Sequence, residues 1–489
     1  METTKKEDLV PYDIIKAHLG FSFVVLLIVM LAGLSYSLQF IDLYPFKGIA
    51  LLSPGRLRMV HTQAVAYGWL ANAFFAIVLY MIPKLTGKPL LSKKLGWFCF
   101  YAYNTLILLT VGLIMAGFGQ AQEWGETPAI LDPFISIVVV LFVINVVTSI
   151  WRGRHEPYYV TVWYVLAALI WTPLVYVMGN FLPEYVFAGT GGATISSMYI
   201  HDLVGLFVTP IGTGMIYYLL PVLMRKPLFS HSLSLIGFWG LAFFYPMNSV
   251  HHYLYSPIPM WAQYASIVAS VGVHVVVYTV VFNVIATMAS DWKKVTQNVS
   301  LQFFLVGALS YLVTCIQCAL QVTLTFQEII HFTDWVVGHS HLVLFGTFSF
   351  WAFAWIYYLF PRLLNTPIYS SQLTSWHFWL SFIGIVIMDI DLLSAGLVQG
   401  FMWKSMTPFI DTVIASKGFW WVRTLAGVAI LAGTVCFVIN MVMTWKESRM
   451  NRGGKTVVKD SLGNDVIVPA IEEKEEVKVT DSEPEGSPA

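Results

Sequence analysis

The chain has 489 residues, 57% of them hydrophobic and 11% charged, with 27 basic side chains balanced by 27 acidic ones. Soluble globular domains carry about 25% charged residues, so the composition excludes a soluble enzyme and points to the membrane. The balanced charge gives no reason to expect nucleic acid as a partner.

Residues 1–16 are charged, and no cleavable signal peptide is visible before the first apolar run, which is long enough to span a bilayer. About twelve apolar stretches follow, at roughly 17–39, 60–83, 95–118, 128–150, 158–180, 198–224, 233–255, 262–288, 300–325, 332–361, 376–400 and 419–445. Short connections make 17–445 one all-α integral membrane bundle rather than several domains. Residues 446–489 are rich in Lys, Glu, Asp, Ser, Gly and Pro and read as a disordered aqueous tail. No internal repeat is apparent. The cysteines Cys99, Cys315, Cys318 and Cys436 lie in apolar segments. They read as buried small residues, because Cys315 and Cys318 lack the partners of a haem-attachment, zinc or redox site.

Basic residues are unevenly distributed among the loops. Lys84, Lys88, Lys93, Lys94, Arg152, Arg154, Arg225, Lys226, Lys293, Lys294 and Arg362 follow even-numbered spans. The opposite loops hold far fewer, Lys47, Arg56, Arg58, Lys404 and Lys417. The positive-inside rule then places both termini in the cytoplasm.

Six histidines sit inside apolar segments, where a polar ring is costly unless something binds it: His61, His201, His251, His252, His339 and His341. With this topology all six fall in the outer part of the membrane, on four different helices. Unrelated core histidines have no reason to share a depth, so the pattern reads as a metal cluster. His339 and His341 point about 200° apart on a helix and suit two cofactors on opposite sides. His251 and His252, about 100° apart, can converge with His201 on one ion. Imidazole suits copper, iron and zinc alike. His61 can complete a bis-histidine haem with one of His339 and His341, leaving the other for a five-coordinate haem. His18, His155, His231 and His377 fall near the basic loops and read as interfacial, His331 as an outer-loop residue, and His274 as a hydrogen-bonded core residue.

Several stretches are specific enough to name a family. They are Arg56-Leu-Arg-Met-Val-His61-Thr-Gln-Ala-Val, Gln122-Glu-Trp-Gly-Glu126, Glu156-Pro-Tyr-Tyr-Val, Tyr217-Tyr218-Leu-Leu-Pro, His251-His252 with Pro259-Met-Trp-Ala-Gln263, His331-Phe-Thr-Asp-Trp-Val-Val-Gly-His339-Ser-His341, and Ala395-Gly-Leu-Val-Gln-Gly-Phe-Met-Trp403. Over nearly all the spans the chain resembles the haem–copper oxidases, and within them subunit I of the cbb3-type cytochrome c oxidases. The resemblance implies a bacterial inner-membrane terminal oxidase that reduces dioxygen to water and translocates protons. It implies low-spin haem b on His61 and His341, high-spin haem b on His339, and copper on His201, His251 and His252. It also implies membrane-anchored cytochrome c subunits as electron donors, since nothing here binds haem c.

The resemblance further implies that Tyr245 is the catalytic tyrosine, cross-linked in the family to a copper-ligating histidine, here His201. Tyr218 and Ser234 match the proton path. Arg56, Arg58 and Arg423 are candidates for propionate contacts, and Glu123 and Glu126 match a loop that supports calcium. Nitric oxide reductases of the same superfamily place a glutamate four residues after the sixth-span histidine; Gly205 stands there in this chain. That favours oxygen, with nitric oxide reduction at a non-haem metal as the alternative. Three departures stand out. Gln317, grouped with Tyr218 and Ser234 on the proton path, occupies the position of a ninth-span glutamate, and a neutral amide cannot titrate as that carboxylate would. Asp202 replaces a usual asparagine. Asp389 and Asp391 lie mid-membrane, suggesting a proton route, a protonated core pair or a partner contact.

Overall fold

A computed structural model describes residues 9–153, 157–450, 455–459 and 465–469. Arg154, His155 and Glu156 lie outside the described residues. Twelve helices are long and apolar enough to cross a membrane: α1 Tyr12–Ile41, α2 Pro54–Thr86, α3 Lys93–Ala116, α4 Asp132–Gly153, α5 Val160–Tyr185, α6 Gly189–Met224, α7 His231–Tyr253, α8 Met260–Ala289, α9 Val299–Gln321, α10 Asp334–Leu364, α11 Ser371–Lys404 and α12 Phe409–Arg449. The expected bundle of transmembrane helices is therefore present. Several helices outrun their predicted bounds, because hydropathy marks only the apolar part of a helix whose ends continue among polar residues.

Nine helices form a ring around α2, α6 and α10. The inner three are 94%, 89% and 89% buried across their apolar windows, against 33–56% for the ring. Ring helices turn large apolar side chains such as Val24, Phe98, Phe243, Tyr278 and Ile390 outward, as a lipid-facing surface requires. The inner helices are tied by buried tryptophan N–H groups. Trp69 Nε1 donates to Ser349 Oγ at 2.9 Å, and Trp355 Nε1 donates to the Met215 carbonyl at 3.0 Å. A buried indole needs such an acceptor.

The bundle carries an internal threefold repeat, contrary to the sequence reading. Each inner helix ends in a left-handed residue: Gly87 (φ 64°), Arg225 (φ 55°) or Asn365 (φ 49°). A proline follows, then a serine that caps the next helix. Ser92, Ser230 and Ser370 Oγ each accept from the backbone N–H of Leu95, Leu233 and Leu373 at 3.2 Å. Each serine N–H in turn donates to an asparagine of the helix after that, at 2.9 Å for Asn145 and Asn283 and 3.0 Å for Asn440. The corresponding stretches are Pro83-Lys-Leu through Pro89 to Ser92, Pro221-Val-Leu through Pro227 to Ser230, and Pro361-Arg-Leu through Pro367 to Ser370. A few polar positions in an apolar background hide the period.

One other expectation changes. His18 and His377 are not interfacial but buried, at 1% and 0% exposure. His18 Nδ1 pairs with Asn72 Oδ1 at 2.8 Å and His377 Nδ1 with the Tyr357 hydroxyl at 3.0 Å. His231 is exposed as expected. Beyond the bundle, β1 (Lys455–Lys459) pairs antiparallel with β2 (Asp465–Pro469).

Candidate metal and haem centre

Each inner helix changes its winding just beyond its histidines. His61 lies at the end of an α-helical stretch that passes into a π-helical segment, Ala64–Leu70. His201 precedes a second such segment, Leu203–Val208, and His339 and His341 precede a third, Leu342–Ser349. Wider π turns displace side-chain phase and recur at functional sites. In α7 the opposite happens: His251 and His252 lie in a tight 3-10 turn, Ser249–Tyr253. Their angular separation is thus nearer about 120° than the α-helical value assumed from sequence. The turn is held against α6 by Ser249 Oγ, which donates to Asp202 Oδ1 at 2.7 Å.

The three histidines of α6 and α7 converge. One ring nitrogen from each of His201, His251 and His252 lies within 4.8 Å of the others, the one group of three metal-ligating side chains among the described residues. His201 Nδ1 is 2.9 Å from His252 Nε2. Two nitrogens bound about 2.0 Å from one ion stand about 2.8–3.3 Å apart, so this spacing suits a shared metal. His251 Nδ1 is engaged by Ser270 Oγ at 2.8 Å, leaving Nε2 as the ligand atom. Its backbone N–H donates to Ser266 Oγ at 2.7 Å.

His61 and His341 form a second unit. Their ring centroids are 6.2 Å apart with planes 25° from parallel. Imidazoles on opposite sides of one ion, with bonds of about 2.0 Å, place their centroids about 6 Å apart. Each Nδ1 faces a backbone carbonyl, Val29 at 2.9 Å and Val337 at 2.8 Å. That fixes both rings with Nε2 free, as a bis-histidine haem requires. Gly33 makes room for the first ring: a Cβ there would meet His61 Cε1 at 2.6 Å and Nδ1 at 2.7 Å. Gly33→Ala is expected to tilt His61 and lower the occupancy of a haem held by this pair by about tenfold, read from the absorbance of the purified protein; unchanged occupancy would show that the ring adapts or that the pair holds no haem. His339 turns to the other side of α10, where its Nδ1 lies 2.9 Å from Gln317 Oε1.

Tyr245 stands beside the three-histidine group. Its ring stacks on His201 with centroids 5.6 Å apart and planes 29° from parallel. Gly205 lies beneath it: a Cβ at 205 would come within 2.1 Å of Tyr245 Cδ1 and 2.6 Å of Cε1. Tyrosine and any side chain at 205 are thus mutually exclusive in this arrangement.

The other predicted residues are placed unevenly. Arg423 is buried, 3.9 Å from Asp334, and close enough to His61 and His341 to act on both electrostatically. Arg56 is occupied by the Ala50 and Met115 carbonyls, each at 2.8 Å, and Arg58 is exposed. Glu126 is buried and accepts from Gln63 Nε2 at 2.6 Å and Thr62 Oγ1 at 3.2 Å, bracing the helix next to His61. Burial pushes its carboxyl above the usual range, and these hydrogen bonds oppose the shift. Glu123, by contrast, is exposed. Ser234 is buried with its hydroxyl on the His231 carbonyl at 2.6 Å, and Tyr218 packs on Trp355. Asp389 and Asp391 are not a pair: Asp389 meets Gln317, whereas Asp391 lies near Asp334 and Arg423. His274 bonds within its own helix, and His331 meets Gln327 in the loop.

Gly33, Ser249, Ser266 and Ser270 escaped the sequence reading. Only Ser249, just before the histidine pair, carried a local signal. Cys318, read as an inert core residue, lies with its Sγ 3.5 Å from His339 Nε2.

The sequence matches the family of cytochrome c and quinol oxidase polypeptide I over residues 13–429. The chain belongs to that family. It is 29% identical to a cytochrome c oxidase subunit 1 of Rhodobacter capsulatus over 443 residues, covering 87% of this chain and 82% of the relative. It is 27% identical to the cbb3-type cytochrome c oxidase subunit CcoN1 of Stutzerimonas stutzeri, covering 82% and 88%. A nitric oxide reductase subunit of the same organism is more distant, at 22% over 86% and 93%. A solved haem–copper terminal oxidase dimer shares the fold, with TM-score 0.69 and 15% identity over 89% of this chain and 84% of that one. As a member of this oxidase family the chain is a multi-pass membrane oxidoreductase, and the family implies haem and copper. The donor sets fit both groups: three imidazoles that bring one ring nitrogen each within 4.8 Å of the others, and an opposed imidazole pair with both Nδ1 atoms occupied.

Proposed function

We propose that this chain is the catalytic subunit of a cbb3-like terminal oxidase, reducing dioxygen to water with electrons from membrane-anchored cytochrome c subunits and translocating protons. One observation carries the reading: Tyr245 stacks on His201 in the three-histidine group, over a glycine that leaves no room for a carboxylate ligand at 205. His201, His251 and His252 would hold copper, His61 and His341 a low-spin haem b, and His339 a high-spin haem b. When bound, these groups supply the electrons and the open coordination positions that dioxygen reduction needs.

The chain's own side chains do the rest. Ser270 fixes the ring of His251, and Asp202, through Ser249, sets the turn that presents His251 and His252. Tyr245 keeps a phenolic proton beside His201, where it can be released together with an electron. Tyr218 and Ser234 lie on α6 and α7 between the basic loops and Tyr245, a direction that suits proton delivery from the cytoplasm. Arg423 is the strongest candidate for a propionate partner; Arg56 and Arg58 are nearer the rim. Glu123 and Glu126 remain candidates for calcium. Both termini are cytoplasmic, residues 17–445 form the catalytic bundle, and the membrane is the bacterial inner membrane.

The test is consumption of oxygen and of nitric oxide by the purified complex. Rapid oxygen reduction is expected; fast nitric oxide turnover with negligible oxygen uptake overturns the proposal in favour of a nitric oxide reductase. A second check is His251→Ala. Copper should fall by more than about tenfold while both haems stay, by elemental analysis and absorbance; retained copper would remove His251 from the ligand set.

A further inference from the structure

His339 is joined to a mid-membrane carboxylate by a single amide. Gln317 on α9 accepts from His339 Nδ1 through Oε1 at 2.9 Å. Its Nε2 donates to both Asp389 Oδ1 and Oδ2 on α11, each at 3.1 Å. Gln317 and Asp389 are buried, at 4% and 6% exposure. The helices can approach this closely because Gly338 precedes His339: a Cβ there would already stand 3.0 Å from Leu392 Cβ.

We propose that Asp389 is a positioning residue for the high-spin haem ligand, acting through Gln317 to orient His339 and strengthen its donation to iron. A carboxylate only accepts hydrogen bonds, so it fixes which end of the amide faces it. With Nε2 turned to Asp389, Oε1 must face His339. That acceptor holds the imidazole proton on Nδ1 and leaves the Nε2 lone pair for the metal. Polarisation then runs along the chain: charge on Asp389 makes the amide oxygen a better acceptor, which gives the imidazole more anionic character. An asparagine at 389 could serve either end of Gln317 and would fix neither. The same relay accounts for the neutral Gln317 at a position where the resemblance led us to expect glutamate: the carboxylate stands one residue further out, on α11.

The inference rests on the reading that His339 holds the high-spin haem, and one experiment separates the two. In the purified complex, an iron–histidine stretching band of the reduced high-spin haem tests the reading by its presence and the relay by its position. In Asp389→Asn the band should move to lower frequency, and the reduced-to-oxidised ratio of that haem at a fixed potential should rise by about tenfold. Adding Gln317→Glu to Asp389→Asn puts a carboxylate directly on His339 and should return both readouts toward the wild type. Asp389→Asn with haem in place and an unmoved band overturns the relay. If Asp389→Asn loses the high-spin haem, recovery of haem in the double variant supports the relay, and an empty double variant overturns it by showing that Asp389 serves assembly alone.

Discussion

Tyr245→Phe should reduce oxygen turnover by about a hundredfold or more while leaving haem and copper content unchanged. Phenylalanine keeps the ring that stacks on His201 at 5.6 Å, so the metal ligands lose no packing partner. Only the hydroxyl is removed, and with it the proton and electron it can release beside the three-histidine group. Loss of a positioned acid–base group costs about 10²–10⁴-fold in rate. Oxygen uptake, haem absorbance and elemental analysis on one preparation measure all three quantities. Wild-type turnover in this variant would remove Tyr245 from the mechanism. Loss of copper along with turnover would make its role structural.

Gly205→Ala is the complementary test. A methyl group at 205 would sit 2.1 Å from Tyr245 Cδ1, well inside van der Waals contact, so the tyrosine must leave its place or α6 and α7 must part. Overpacking of this kind costs about 1–3 kcal/mol, which a bundle of this size can absorb. The bundle should fold and retain the His61/His341 unit, but oxygen turnover should fall by about a hundredfold, as in Tyr245→Phe. The double variant Gly205→Ala/Tyr245→Phe should be little worse than either alone, since both act on the same hydroxyl. A fully active Gly205→Ala enzyme would mean that the glycine serves helix packing only.

The same contact bears on the alternative reading, nitric oxide reduction, for which the resemblance led to a glutamate being expected at 205. A glutamate four residues beyond His201 would have to occupy the volume filled by Tyr245. The presence of the tyrosine and the absence of the glutamate, two separate clues in the sequence, are therefore one structural fact.

Much of the architecture follows from local chemistry. Apolar stretches of membrane length fix the number of helices, because backbone polar groups in lipid must be satisfied within each helix. That the six histidines fall toward one side of the bundle is legible from their places along alternating spans, which is why His61, His201 and His339 can be grouped without knowledge of the packing. Other features were hidden for definite reasons. Hydropathy cannot distinguish α2, α6 and α10 from the ring, since lipid and protein interior are equally apolar. Uniform helical phase misjudged His251 and His252, because Pro246 and the Asp202–Ser249 contact lead α7 into a 3-10 turn. His18 and His377 looked interfacial because their positions along the chain lie near the basic loops, whereas their buried partners Asn72 and Tyr357 come from other helices.

The sequence by itself determined the class of protein, the helix count and the residue types able to hold metal, because each depends on composition or on spacing within one helix. Only the tertiary structure decided how closely the histidines meet and what lies behind them. The 6.2 Å His61–His341 pair, the Tyr245–Gly205 contact and the His339–Gln317–Asp389 chain all join residues from different helices. A side chain's partner across a helix interface is set by rotation and offset of whole helices. These are fixed by packing of the entire bundle, not by local sequence.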